Sequence, residues 1–272
     1  MKSFVLRLFP LFAALAGALR ADEPAIIAKA RAYLGSEADL DRITSLRMEG
    51  TFSVAFSPPD PKQAQTSKVD IVFQKPWRHR LVVQNGSTTR TVALDGYDAW
   101  ERVDDPTDPR SPRMTLYSPP AIRAFRADVW ENLGYYRGLE AEGGSVVDKG
   151  PAKIDGIACE QIAFIHDSTI IYNRYFDLAT GRLVFTQLGS GLTIRESGER
   201  VVDGVKFPTQ IVTTQKTDSG GSKTTTLTLE KIVLNEPLPD QDFATPLPPT
   251  SSLTGMGPVT APAVAPTSSG QP

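Results

Sequence analysis

The chain has 272 residues, and its 29 basic and 31 acidic side chains give a formal net charge of −2 at pH 7. A balance this close to neutrality gives no electrostatic reason to expect nucleic acid as a partner. Cys159 is the only cysteine. An internal disulfide is therefore excluded, and the stability of the fold must come from burial of an apolar core.

The first 21 residues predict a cleavable export signal. Lys2 and Arg7 make a basic start, residues 8–19 are apolar, and cleavage could follow Ala18 or Ala21. This apolar run is too short for a bilayer span, which needs about 20 residues, and no later stretch approaches that length. We therefore expect a mature protein in the periplasm with no integral membrane span.

The other end of the chain predicts a disordered tail. Residues 246–272 are dominated by Pro, Gly, Ser and Thr and contain no charged or aromatic side chain. Such a segment cannot bury enough surface to become ordered. Residues 22–245 are left as one domain.

Two short helices are predicted at the start of this domain. Asp22 or Glu23 caps a helix that has Pro24 at its first position and ends at Gly35. A second short turn follows, with Ser36 as its cap.

From residue 46 the apolar period changes to two, which is typical of strands with one solvated face. Asp-Gly turns at 95–96, 155–156 and 203–204 predict hairpins, because glycine readily adopts the positive φ that these turns require. The strands are predicted at 46–56, 68–75, 78–84, 89–94, 99–103, 145–149, 157–164, 170–176, 183–188, 192–201, 205–213 and 224–234. The fold class is mainly β (α+β), an incomplete antiparallel β-barrel or strongly curved sheet with helices over its open side.

One longer helix interrupts the strands, between a cap at Ser118 and an exit at Gly134. Its apolar stripe has two interpretations, ordinary core or a lid that contacts a ligand. The stripe consists of Ile122, Phe125, Val129 and Leu133, with Trp130 beside it. The charged residues expected on the other, solvent-facing side are Arg123, Arg126, Asp128 and Glu131.

The ionisable residues predict no catalytic centre, metal site or cofactor. His79 and His166 have no partner at metal-ligand spacing, which favours structural or surface histidines. Cys159 lies in a strand, where a buried inert thiol is usual. The aspartates of the loop 104–113 alternate with prolines, which favours Asx turns over a calcium loop.

Three tryptophans, Trp77, Trp100 and Trp130, are the most informative aromatic residues. They either fill the core or line an apolar cavity. An apolar cavity with few polar groups is the kind of site that binds acyl chains.

Five segments resemble a known family. They are FQKP at 73–76, DGYDAW at 95–100, YFDLATG at 175–181, VDGVKFP at 202–208 and LEKIVLN at 229–235. Over residues 25–246 the chain resembles the LolA-like outer-membrane lipoprotein-sorting proteins of Gram-negative bacteria.

The resemblance implies a half-barrel with a helical lid over a hydrophobic cavity. Such a carrier takes lipoprotein acyl chains from an inner-membrane transporter and passes them to an outer-membrane acceptor, without a cofactor. The family's carrier uses an arginine to hold the lid closed, and Lys75 stands at the matching position. The predicted cavity and lid residues are Trp77, Trp100, Ile122, Phe125, Val129, Trp130 and Leu133.

Two other functions stay open at this point. A LolA-like module that senses lipid or lipoprotein, or binds it for a structural purpose, would carry the same features. An enzyme acting on lipids or glycans would need an acid, base or nucleophile set that the sequence does not provide.

Overall fold

One long antiparallel sheet organises the computed structural model, which describes residues 23–59, 65–217 and 220–246. The predicted export signal and residues 247–272 of the predicted tail lie outside the described residues. Within the described ranges, no helix has both the length and the apolar character needed to cross a bilayer.

Within the described residues, thirteen strands form the main sheet in the order β6-β5-β4-β3-β2-β1-β15-β14-β11-β10-β9-β8-β7, and β12 and β13 form a separate hairpin. Within the described chain the end strands β6 and β7 do not pair with each other, so the sheet stays open. The strands are β1 Ser45–Ser57, β2 Gln65–Gln74, β3 Arg78–Asn85, β4 Thr88–Asp95, β5 Asp98–Asp104, β6 Arg113–Leu116, β7 Ser145–Ile154, β8 Ile157–Ile165, β9 Ile171–Asp177, β10 Leu183–Leu188, β11 Thr193–Ser197, β12 Arg200–Val202, β13 Val205–Phe207, β14 Gln210–Lys216 and β15 Ser222–Leu234.

The predicted Asp-Gly hairpins are confirmed, although the turn predicted at 95–96 is shifted by one residue, because Asp95 pairs with Asp98 and the turn consists of Gly96 and Tyr97. At the other two turns both central residues have positive φ. Asp155 and Gly156 have φ values of 48° and 88°, and Asp203 and Gly204 have values of 48° and 84°. Positive φ at both central residues matches the right-handed twist of the flanking strands. These short turns force neighbouring strands to run antiparallel.

Strand β1 lies at the centre of the sheet, between β2 and β15. Its pairing with β15 shifts between Glu49 and Gly50, as in a β-bulge. A Cβ atom at Gly50 would collide with the carbonyl oxygen of Thr228. Glycine therefore permits the close approach of the first and last strands.

Several strand predictions were wrong in detail. The strand predicted at 145–149 continues to Ile154 as β7. Strand β6 was missed because all four of its residues are exposed and show no alternation. The predicted strand 192–201 is divided at Gly198, whose φ is 69°. The predicted strand 205–213 is divided near Pro208, which has no N–H group for a ladder.

In the part of the chain that the structure describes, three α-helices accompany the sheet: α1 Ala25–Leu34, α2 Glu37–Asp41 and α3 Pro119–Leu133. Short 3₁₀ turns cover Leu139–Glu142 and Asp240–Asp242. The Ser36 hydroxyl caps α2 as predicted, accepting a hydrogen bond from the backbone N–H of Asp39 at 3.1 Å.

The prediction for the start of α1 was wrong, because Pro24 lies just before the helix. Glu23 does not act as its cap. Its carboxylate accepts hydrogen bonds from the Arg137 guanidinium at 2.6 and 2.8 Å.

Among the described residues the core consists of two apolar clusters, and α3 contributes to both. Val129 and Leu133 belong to a cluster with β1, β2 and β4. Ala127 belongs to a second cluster with α1, β8 and β9. Helix α3 therefore lies across the open sheet and connects its two halves.

Candidate ligand-binding site beneath helix α3

The first half of the sheet presents one face to α3. Phe73 pairs with His79, and His79 pairs with Leu94, so the three side chains lie in one row on this face. The rings of Phe73 and His79 stack at 4.6 Å, and the Phe125 ring of α3 lies 5.9 Å from His79. We call this side of the sheet the covered face.

The apolar stripe of α3 packs against the covered face. Val129 and Leu133 are each 1% exposed, and Ile122 and Phe125 are half-buried against the same cluster. The 3.6-residue period thus identified the side of the helix that meets the sheet.

A cavity of about 330 Å³ opens at the carboxyl end of α3. This volume is at the lower end of the roughly 300–1,000 Å³ usual for small-molecule sites. Five of the predicted site residues line it together, namely Lys75, Trp77, Val129, Trp130 and Leu133.

A second cavity of about 180 Å³ continues along the outer side of α3. Trp77, Trp130 and Glu142 line both cavities. Arg123 and Arg126 line only the second one. We call the two adjoining cavities the α3 groove.

Trp100 does not belong to this site. Its neighbour Ala99 pairs with Leu94 on the covered face, so Trp100 points to the opposite face. There its indole N–H donates a hydrogen bond to the carbonyl oxygen of Phe243 at 2.9 Å. Trp100 therefore fastens the carboxyl-terminal segment to the back of the sheet.

Lys75 lines the groove, but it does not form the expected latch in this structure. Among the described residues, its ammonium group donates no hydrogen bond to α3. Desolvation lowers the pKa of Lys75, while nearby Asp41 opposes that shift. The Lys75 backbone N–H donates to the carbonyl oxygen of Thr44 at 2.8 Å, which fixes the turn before Trp77.

A polar network holds the other flank of α3. Glu131 forms an ion pair with Arg174 at 2.5 Å and contacts His166 at 2.7 Å, and its side chain is only 4% exposed. The Tyr172 hydroxyl donates to Asp128 at 2.7 Å. These contacts bind α3 to the second half of the sheet.

The prediction that Asp128 and Glu131 face solvent was therefore wrong. Helix α3 rests on an open curved sheet, so strands on both sides bury its flanks. The strand residues that receive the two carboxylates, Tyr172 and Arg174, lie far away in sequence. Only the strand order brings them to the helix.

Burial shifts the pKa values of several groups around α3. Desolvation raises the pKa of Asp128 to about 6, although the Tyr172 hydroxyl opposes the shift. Desolvation also lowers the pKa of His79 to about 4. Within the described residues, Nδ1 of His79 has no hydrogen-bond partner. His79 is therefore a neutral part of the core near neutral pH.

Sequence reasoning missed part of the covered face beyond α3. Phe52, Val54, Leu81 and Val83 are half-buried there. We call these four residues the apolar floor. The two-residue alternation in β1 and β3 indicates that these four residues share one face of the sheet, but it does not show which face remains partly open.

Sequence reasoning also misplaced Arg126, which was expected to face solvent. Its guanidinium carbon lies 3.6 Å from the centre of the Trp77 ring and 4.5 Å from that of Tyr97. The turn formed by Gly96 and Tyr97 brings the two aromatic residues together, since the Gly96 N–H donates a hydrogen bond to the Trp77 carbonyl oxygen at 3.0 Å. No helical pattern could have indicated this contact.

The described residues contain no group of three or more His, Cys, Asp or Glu side chains arranged to hold a metal ion. Cys159 is fully buried, and burial raises the pKa of its thiol, as is usual for an inert structural cysteine. Asp105 and Asp108 accept hydrogen bonds from the backbone N–H groups two residues later, as in Asx turns. The site chemistry is therefore that of an apolar groove with charged rims.

No protein-family model matches the chain, and no curated protein matches its sequence. Solved structures do match. A LolA superfamily protein from Nitrosomonas europaea is 13% identical, with a TM-score of 0.54 over 81% of this chain and 96% of that one. The chain has a LolA-like fold.

Two further structures support the LolA-like fold. A DUF1329 family protein from Desulfovibrio piger is 13% identical, with a TM-score of 0.51 over 81% of this chain and 96% of that one. A domain from Vibrio parahaemolyticus named as an outer membrane lipoprotein-sorting protein is 12% identical, with a TM-score of 0.50 over 80% and 94%. The expected fold class, a curved open antiparallel sheet, is confirmed.

Proposed function

We propose that the protein is a periplasmic, non-enzymatic carrier that binds acyl chains of lipoproteins or similar lipids between α3 and the covered face. The observation that carries this proposal is the apolar floor, whose side chains are half-buried at the edge of the space that α3 covers. Half-buried apolar side chains on an inner sheet face offer a surface that gains free energy when an acyl chain covers it.

The two flanks of α3 differ in a way that suits a lid. One flank meets the sheet through apolar side chains such as Phe125 and Val129. The other is held by the ion pair between Glu131 and Arg174. An acyl chain can replace apolar contacts at little cost, whereas separating a buried ion pair leaves uncompensated charges.

We therefore expect α3 to lift on its apolar flank and to stay attached at its polar flank. The existing cavity of about 330 Å³ would join the apolar floor when this happens. The proposed route of the ligand is from an inner-membrane transporter to an outer-membrane acceptor, and the predicted export signal and the LolA-like fold support this proposal. A lipid-sensing or structural binding module is the alternative, and it would bind without passing its ligand on.

Binding of a neutral fluorescent diacylglycerol tests the proposal without involving headgroup charge. Val54→Asp places a carboxylate on the apolar floor and should weaken binding about tenfold or more. Ala55→Asp is the matched control, because Ala55 is the exposed next residue of the same strand and points to the opposite face. Transfer of the bound probe to acceptor vesicles distinguishes a carrier from a sensor.

Loss of binding in both variants would point to a general effect of added charge. No binding of the neutral probe by the wild-type protein would refute the proposed function.

A further inference from the structure

Arg126 has an unusual environment at the α3 groove. Its guanidinium contacts the rings of Trp77 and Tyr97 at 3.6 and 4.5 Å, and the two ring centres are 6.0 Å apart. Such contacts between a cation and aromatic faces restrict the guanidinium plane. Within the described residues the N–H groups of this guanidinium donate no hydrogen bond, so they stay available as donors.

The charge of Arg126 is not neutralised by any carboxylate in the described parts of the chain. Its neighbours differ in this respect. Arg123 is ion-paired with Asp167 at 3.2 Å, and Arg137 is paired with Glu23 at 2.6 Å. Lys75, which lines the adjoining cavity, also forms no ion pair within the described residues, although the Asp41 carboxylate lines the same cavity and stabilises its charge in part. Of the cations in the groove, Arg126 and Lys75 are thus the two without an ion-pair partner among the described residues.

Arg126 and Lys75 together suit a phosphate or carboxylate group. A guanidinium donates two parallel N–H groups to a phosphate or carboxylate, whereas a lysine ammonium acts as a point charge. Partial desolvation of Lys75, which lowers its pKa, strengthens its interaction with an anion once one is present. Trp130 and Leu133 continue the groove as an apolar surface.

We infer that the α3 groove recognises an acyl lipid with a phosphodiester headgroup, which Arg126 and Lys75 bind while its chains follow Trp130 and Leu133. This inference rests on the proposed function and adds the class of ligand. Glu142 lines both cavities and is exposed, so its carboxylate opposes the headgroup charge.

Fluorescent phosphatidylglycerol and diacylglycerol with identical acyl chains test the inference, because only the first carries a phosphodiester. We expect the wild-type protein to bind phosphatidylglycerol about tenfold more tightly. Arg126→Gln or Lys75→Gln should remove most of this preference. Glu142→Gln should increase the preference. Lys149→Gln is the control, because Lys149 is an exposed lysine on the distant edge strand β7.

Arg126→Lys separates charge from geometry, because it keeps the cation and loses the planar fork. It should retain only part of the preference. A purely structural role of Arg126 would instead weaken binding of both lipids equally and lower the melting temperature. That result would overturn the inference.

Equal wild-type affinity for phosphatidylglycerol and diacylglycerol would also overturn the inference, and in that case the proposed function survives. If neither lipid binds, both fail. Displacement of phosphatidylglycerol by millimolar inorganic phosphate would indicate a site for free phosphate, which would contradict a lipid headgroup site.

Discussion

Phe125 offers the sharpest test of whether α3 is a lid or only part of the core. Its ring lies 5.9 Å from His79 and 5.0 Å from Tyr117, and it is half-buried against the sheet. We predict that Phe125→Asp weakens acyl binding far more than it weakens the fold. The sheet keeps its own pairing, and the polar flank of α3 keeps its ion pair.

The expected magnitudes separate the two effects. Full burial of a phenyl ring contributes about 1.5–3 kcal/mol, so loss of a half-buried ring costs roughly 1–2 kcal/mol. Partial desolvation of the new carboxylate adds about 1–2 kcal/mol. The total is below the usual margin of about 5–15 kcal/mol, and the melting temperature should fall by about 5–15 °C.

Acyl affinity and melting temperature should be measured side by side for Phe125→Asp and for Pro120→Asp. Pro120 lies in the first turn of α3 and is exposed. We expect acyl affinity to fall about thirtyfold or more in Phe125→Asp and to stay within twofold in the control. Unchanged acyl binding by a folded Phe125→Asp protein would refute the proposal that α3 is a lid.

Three further predictions concern stability. The folded pKa of Asp128, about 6, lies above its ordinary 3.8, so its burial costs stability that grows as pH rises through this interval. Asp128→Asn should therefore raise the melting temperature at pH 7.5 but hardly at pH 4, and an equal effect at both would contradict the burial argument. The folded pKa of His79, about 4, lies below its ordinary 6.5, so wild-type stability should fall as pH drops between these values. His79→Phe should lose less stability over that interval, as thermal unfolding across pH would show; an unchanged profile would exclude His79 as the cause. Trp100→Phe removes the hydrogen bond to Phe243 and should lower the free energy of unfolding in denaturant by about 1–2 kcal/mol. Acyl affinity should not change, and a large loss of binding would show that Trp100 belongs to the binding site.

The sequence predicted most elements of the fold because their patterns are local. The 3.6-residue stripe from Ile122 to Leu133 and the Asp-Gly turns depend only on neighbours in the chain. The polar partners of α3 depend on topology. Nothing near Glu131 in the sequence indicates that Arg174, on β9, lies opposite it.

Trp100 shows a second limit of sequence reasoning. Ala93, Leu94, Ala99 and Trp100 are all buried, so both faces of the sheet are covered at this point. Alternation assigns Trp100 to the face opposite Ala99, but it does not say which face α3 covers. The pairing of strands β1 to β5 and the path of the carboxyl-terminal segment determine which face α3 covers.

The central claim is that the space between α3 and the covered face holds acyl chains. Native mass spectrometry of the full chain, exported with its own amino-terminal segment and purified without detergent, tests this claim most directly. We predict one or more species carrying the added mass of a lipid, and these should decrease in Phe125→Asp and persist in Pro120→Asp. A single unliganded mass for the wild-type protein, unchanged after incubation with neutral diacylglycerol, would contradict the claim.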